Sequence, residues 1–384
     1  MLSNTLWAAL AVFGGLVNAG YPPDVVDKLA KNSMSKVKDW LAKNPQGECN
    51  LKTAIVRKEW SDLNKKQQKE YISAVLCLQS KPSKMSAEAP GAKSRFDDYV
   101  VVHVQQTMRN HGSTFFLPWH RLYLWHYENA LRTECGYTGY QPYWNWDRYA
   151  KDPINSPLFD GSDTSMSGNG VFVPHAGVTI PTAPPPFDVI PPAEGGGCVT
   201  TGPFQNMSVN LGPLAPSLTD IKPNPQPDGL GYNPRCLRRD VNRNSAAVTT
   251  ANYTYDLITN NKNMYWFQTT MEGQFPEGKW GVHSGGHYTV GGDPAGDFFV
   301  SPGDPVFWLH HAMIDRVWWI WQIQDLAKRL EDVSLTMTMM NMPPSRNGTL
   351  QDENNLGTLY GDVLTKDLMS TLGGMGGKLC YIYE

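Results

Sequence analysis

The sequence predicts a mainly α fold with long irregular loops, and three observations carry that expectation. Val306 to Trp321 is apolar on most faces and opens on Asp304-Pro305. Pro at the first helical position gives up only an N–H that lacks a helical partner anyway, so the run reads as a helix inside the protein. Other stretches with helical spacing precede it, at 24–43, 94–110, 119–133 and 253–272. Between them, residues 140–250 are rich in Pro, Gly, Asn and Ser, including Pro184-Pro185-Pro186 and Gly195-Gly196-Gly197, which is the composition of surface loops. The chain has 384 residues with 13 Trp, 17 Tyr and 13 Phe, enough for a large core. We expect a single domain over 21–384. A formal net charge of -3 offers no basic surface, so neither nucleic acid nor an anionic membrane is an expected partner.

Residues 1–20 read as a secretory signal, which implies an extracellular protein. Leu6–Val17 is apolar yet short for a bilayer span, and Val17-Asn18-Ala19 offers a small residue for cleavage. Asp24–Lys43 is expected to be an amphipathic helix with Val25, Leu29, Val37 and Leu41 along one side. Thr53–Leu78 reads as two helical stretches with Ser61 as the N-cap between them. Ser94–Asn110 carries His103, and His111-Gly112 should break that helix. His111 then falls on a loop and His120 at the start of a helix over Trp119–Thr133. Cys49, Cys77, Cys135, Cys198, Cys236 and Cys380 form an even set, which in a secreted chain implies three disulfides of open pairing. Asn206, Asn252 and Asn347 begin glycosylation sequons, in keeping with secretion. Tyr253–Glu272 is expected to be helical, and Leu326–Glu331 to extend the 306–321 helix. The Met337–Met342 run holds soft thioethers that suit copper(I), but gap-filling in the core is the expected role.

The chemistry lies in the histidines. His283 and His287 are four apart, so a helix would turn both rings to one metal, although Gly285 and Gly286 argue for a single distorted turn. His311 adds a third imidazole. Asp315, one turn further on, is placed to orient it. His103, His111 and His120 make a second trio. All-imidazole ligation suits Cu, Zn, Fe or Ni, and copper heads the affinity order, so two trios suggest two copper ions.

His111 to Glu128 reads HGSTFFLPWHRLYLWHYE. It resembles the first copper signature of tyrosinases and catechol oxidases, through His111, Phe116, Trp119-His120-Arg121 and Glu128. Asp304–Asp315 resembles the second. Arg57-Lys58-Glu59-Trp60, with Tyr71 and Ala74–Leu78, is similar to the opening of fungal tyrosinase-like proteins. The resemblance covers roughly residues 50–384 and implies a polyphenol oxidase: a four-helix bundle with few short strands, clasping a coupled type-3 dicopper centre that binds dioxygen as co-substrate. It implies His103, His111 and His120 on one copper, and His283, His287 and His311 on the other. Phenolic small molecules are the implied substrates, with o-diphenols going to o-quinones and monophenols as a second class. Tyr381-Ile382-Tyr383 is similar to the motif that closes the catalytic domain, so no shielding domain and no proteolytic activation are expected.

Several positions depart from the strongest monophenol-oxidising relatives. Ser284 stands where Asn is frequent, and the position of a water-fixing Glu falls near Gln274, with Glu272 close. Catechol oxidase is therefore the expected activity, ahead of full tyrosinase. Phe298 falls where relatives carry a residue over the copper entrance. Arg109 replaces a cysteine that many fungal relatives cross-link to a histidine, which fits the short secreted fungal subgroup. His310 points about 100° away from His311 on a helix, giving it a packing or bracing role. His126 and His175 are expected to be structural or exposed, and Arg121 and Glu128 structural partners. Three other readings are open to the same residues, and a catalytically dead binding protein, the first of them, is at odds with six retained candidate ligands. A dioxygen carrier of hemocyanin type would share the histidines without turnover. A zinc hydrolase would need an acid between His283 and His287, where Ser284 and glycines stand. The sequence specifies neither the preferred phenol nor the oligomeric state.

Overall fold

Asp24 opens the first helix of the computed structural model, which describes residues 23–180, 183–186, 188–216, 218 and 220–384. The expected signal at 1–20 lies outside the described residues. In α1 (Val25–Lys43) the Asp24 carboxylate accepts from the N–H groups of Val26 and Asp27 at 2.7 and 2.8 Å, a capping box. Its buried face is Val26, Ala30, Ser33 and Val37, whereas Val25 is 39% exposed. The expected stripe is thus shifted by about one residue, and two long-range contacts account for it: Asp27 pairs with Arg316 at 2.5 Å and Ser33 bonds Gln324 at 3.1 Å.

The expected two helices over 53–78 are corrected. Ile55–Arg57 is a strand, β1, followed by a tight helical turn at Trp60–Asp62. The helix α2 (Lys65–Ser80) is capped by Asn64, not Ser61, whose hydroxyl donates to Glu59 instead. The cause is distant in sequence. With β2 (Leu372–Gly374) and β3 (Leu379–Tyr383), β1 makes a three-stranded sheet in the order β1-β3-β2, and Ile55 and Arg57 sit opposite Tyr381 and Tyr383 in parallel register. A strand is set by its neighbour more than by its own residues.

Ser94 and Asp97 form the capping box of α3 (Arg95–Asn110). His111 is its C-cap. α4 (Phe116–Cys135) stops at Gly136, which adopts the left-handed conformation at φ 68. Residues 140–250 are irregular as expected, with strands of two to four residues and two four-residue helical turns among those described. The expected helix over 253–272 divides into α5 (Ala251–Asn260) and α6 (Met264–Glu272), because the Asn263 side chain caps a fresh start. α7 spans Val282–Val290 and α8 Val306–Gln322. Leu326–Arg329 is a separate turn and does not extend α8. Every residue of α8 is buried, and it packs on α1, α4, α5 and α7. Asp304 caps it by accepting from the Val306 N–H at 2.9 Å while holding Arg239 through both oxygens at 2.8 Å.

The fold is mainly α with short strands, and its apolar core runs connected from Val26 to Tyr383. The disulfides are Cys49–Cys380, Cys77–Cys135 and Cys198–Cys236. None of the described helices is long and apolar enough to cross a membrane. Of the methionine run, Met337 packs against the core as expected, while the later residues do not. Met340 and Met342 are 48% and 71% exposed, since the left-handed backbone at Met340 and Asn341 turns the run along the rim of a cavity.

Candidate metal centre

Four helices bring the predicted histidines together. α3 contributes His103 from its interior and His111 from its C-cap, α4 contributes His120, α7 contributes His283 and His287, and α8 contributes His311. The ligating atoms of His103, His111 and His120 lie within 4.8 Å of one another, as do those of His283, His287, His310 and His311. The trios face each other, with the His120 and His311 rings stacked at 4.4 Å and His111 and His283 at 5.8 Å.

Backbone carbonyls orient the first trio. Each ring donates its Nδ1–H: His103 to Phe299 at 2.7 Å, His111 to Thr107 at 3.0 Å, His120 to Phe116 at 2.7 Å. That fixes the tautomer and leaves each Nε2 with a lone pair. Nε2 of His103 and of His120 is buried without a protein partner. In the second trio Nε2 of His287 lies 3.1 Å from Nε2 of both His283 and His311. Buried acceptors left without a donor are costly, so such a convergence fits a bound cation. Burial also keeps the rings neutral, the form that binds metal. It pulls His103 down to about 3 and His111 to about 4, and lowers His120, His283, His287 and His311 well below the ordinary histidine value.

The His-Ser-Gly-Gly-His segment is a full nine-residue helix and not one distorted turn. Its glycines exist for close packing. A Cβ on Gly286 would stand 2.2 Å from Cε1 of His310, and one on Gly285 would stand 2.3 Å from Val248. His310 therefore packs under α7, ringed by Trp146, His283 and His287, with neither ring nitrogen bonded.

Asp315 does not orient His311 as expected. Its carboxylate takes Nε of Arg121 at 2.7 Å and the hydroxyls of Tyr381 and Tyr383 at 2.7 and 2.5 Å. Burial opposes its charge, but Arg121 and Arg57 hold the carboxyl below the ordinary range. Nδ1 of His311 is left without a partner. Arg121 and Glu128 are structural, as expected: Glu128 accepts from Nη2 of Arg57 at 2.8 Å. His126 bonds the Tyr99 hydroxyl at 2.9 Å, and His175 lies 3.2 Å from Asp240.

A cavity of about 770 Å³ opens onto His111, His283 and His287. Gln274, Ser284 and Phe298 all line it. The Phe298 ring sits 4.6 Å from that of His111, on the cavity wall. The Ser284 hydroxyl is turned back on its own helix, bonded at 3.2 Å to both the N–H and the carbonyl of Gly281. Of the two positions bracketed by the sequence, Gln274 and Glu272, both line the cavity, and Glu272 is the one that carries a carboxylate. It accepts from the Gly112 N–H, next to His111, at 2.7 Å and from the Gln268 amide at 2.8 Å. Burial pushes its carboxyl up to about 7, against those two hydrogen bonds. Nothing in the residue pattern marks Tyr265, Met339 and Met340 as cavity wall, since their chain segments reach it only in the fold.

A family model described as the common central domain of tyrosinase matches residues 93–324. The tyrosinase-like protein orsC of Emericella nidulans is 42% identical over 350 residues, covering 88% of this chain and 92% of that protein. Tyrosinase P of Aspergillus terreus is 38% identical over 346 residues, covering 85% and 91%. The structure of a polyphenol oxidase from Thermothelomyces thermophila superposes with a TM-score of 0.86 at 42% identity, covering 95% of this chain and 99% of that one. Set beside the two facing histidine trios, these likenesses make the chain a member of the tyrosinase family, a copper oxidase of the polyphenol oxidase kind.

Proposed function

We propose that the chain holds two copper ions, one on His103, His111 and His120 and one on His283, His287 and His311, and oxidises o-diphenols to o-quinones with dioxygen. The observation that carries this is the meeting of two neutral, oriented imidazole trios at the floor of an open cavity. Bound copper supplies the redox chemistry by which two electrons pass from the diphenol to dioxygen. The protein supplies position and access. Carbonyls of Phe299, Thr107 and Phe116 aim the first trio, and α7 and α8 together position the second. Phe298 offers a ring face beside His111 against which a phenol can stack. Glu272 is the group nearest the His111 turn able to take or hold a phenolic proton, at a carboxyl poised near neutral pH.

Diphenol oxidation is favoured over monophenol hydroxylation because Ser284 stands at the position where Asn is frequent and donates its only O–H to the Gly281 carbonyl, so it has no donor left for a water beside Glu272. The open cavity favours turnover over a hemocyanin-like carrier role, which needs the copper face covered. We propose a secreted, single-domain protein, supported by three disulfides and three exposed sequon asparagines.

Metal analysis with oxygen uptake tests the reading. Two coppers per chain, with uptake on catechol and far slower uptake on tyrosine, is the expected result. Two bound coppers without uptake on any diphenol would overturn it.

A further inference from the structure

The cavity is large for the reaction. Pockets of about 300–1,000 Å³ enclose drug-sized ligands, and this one, at about 770 Å³, far exceeds a single phenol ring. Beyond the histidines, aromatic and thioether side chains line it at Tyr265, Phe275, Tyr288, Phe298, Met339 and Met340, set among uncharged polar groups such as Gln274 and Thr336. The methionine segment is held there deliberately. The Met340 N–H donates to the Gly112 carbonyl at 2.9 Å and the Thr114 N–H to the Thr336 carbonyl at 2.9 Å, which clamps the segment onto the turn after His111. A Cβ on Gly112 would touch Met339 and Met340 at 3.4 Å. Leu335, Met340 and Asn341 all adopt the left-handed backbone that side chains disfavour, at φ 68, 51 and 59. Such conformations persist where the surroundings enforce them, and they cluster at ligand sites.

The charges in the wall have one sign. No Lys or Arg lines the cavity among the described residues, and residues 181, 182, 187, 217 and 219 are Pro, Thr, Phe, Ser and Thr. Glu272, Glu277 and Asp297 do line it. Asp297 is committed to the N–H groups of Leu214, Ala215 and Phe299, and the cation beside Glu277, Lys279, is tied to it at 2.6 Å. Away from the histidine floor, a carboxylate entering this space would shed water without gaining a Lys or Arg partner.

We infer that the preferred substrates are uncharged, extended phenols that carry a second ring or comparable apolar body, and that carboxylate-bearing phenols such as free amino acids are discriminated against. The inference rests on the phenol-oxidase reading of the same site. The second ring lies along Tyr265, Met339 and Met340 while the reacting ring meets Phe298. Apolar surface buried by that ring, and thioether contacts at its edge, favour the longer substrate.

The test uses the copper-loaded chain and three compounds with the same catechol, insulated from the variable end by two methylenes: dihydrocaffeic acid, its N-methyl amide and its N-benzyl amide. Oxygen uptake at neutral pH should give kcat/KM in the order benzyl amide, methyl amide, acid, with at least about tenfold between the extremes. Met340→Arg should raise the acid-to-amide ratio by placing a cation on the wall. A binding readout stands beside these: calorimetric titration of the copper-free protein with the N-benzyl amide and free acid of unhydroxylated phenylpropanoic acid, where only the amide should bind. Uptake on catechol with the acid used as well as the benzyl amide would overturn the inference and leave the phenol-oxidase reading intact. No uptake on catechol or any of the three would overturn that reading, and the inference with it.

Discussion

His310 and His311 are adjacent on α8, yet their substitutions should differ. His311→Ala removes the imidazole whose Nε2 meets that of His287 at 3.1 Å and should cost one copper and most activity. His310→Ala, beneath the glycines of α7, should keep both coppers while lowering stability; metal analysis of the two variants distinguishes them. Glu272 makes a prediction in pH. Its folded value, about 7, lies above the ordinary 4.5, so the neutral carboxyl stabilises the fold fully below 4.5 and that contribution is lost as pH rises through about 7. Melting curves of the copper-free Glu272→Gln variant should therefore fall less across that window than those of the parent. An equal fall would mean that another group governs it. The clustering of the histidines was legible because two long signatures hold His111, His120 and His311, and the i, i+4 spacing pairs His283 with His287. Glu272 was only bracketed with Gln274, because the chain between α6 and α7 makes a small hairpin whose path spacing does not reveal. Asp315 was misread because helical spacing shows which face a residue shares but not that Arg121 and two tyrosines from the far end of the chain claim its oxygens.

At the scale of elements, α7 and α8 meet through the bare Cα of Gly286. Gly286→Ala should push them apart, costing about 1–3 kcal/mol by overpacking and loosening the second copper. Gly361→Ala, which meets nothing within 4 Å, is the matched control. Thermal unfolding and copper content report both effects. The disulfide Cys77–Cys135 ties α2 to α4. Replacing both cysteines by serine should cost about 2–4 kcal/mol, read as a lower denaturant midpoint. Ser94 before α3 and Asp304 before α8 mark helix starts that were legible in sequence, whereas the equally local caps Asn64 and Asn263 were passed over. β1 has no such local mark. Three residues became a strand because β3 lies beside them, and no window over 53–78 contains that fact.

For the whole molecule, the buried charges around Asp315 join what sequence keeps apart. Arg57 of β1, Arg121 and Glu128 of α4, Asp315 of α8 and Tyr381 and Tyr383 of β3 form one network behind the metal centre. Asp315→Asn leaves the buried Arg121 charge with neutral acceptors only, the Leu368 and Met369 carbonyls and Gln322, which should cost about 3–5 kcal/mol, and equilibrium unfolding would show it. A loss under about 1 kcal/mol would mean the arginines find other acceptors. The same closure has a consequence for how the protein is made. β3 pairs in parallel with β1, and Cys49–Cys380 spans 331 positions, so the first strand of the sheet emerges from the ribosome long before its partner. Residues 55–57 and the helices carrying all six histidines must wait, their shared back wall unfinished, until 379–383 are synthesised. Copper loading then belongs after translation, to a nearly complete chain. A chain stopped before 379 that took up two coppers as readily as the full one would contradict that order.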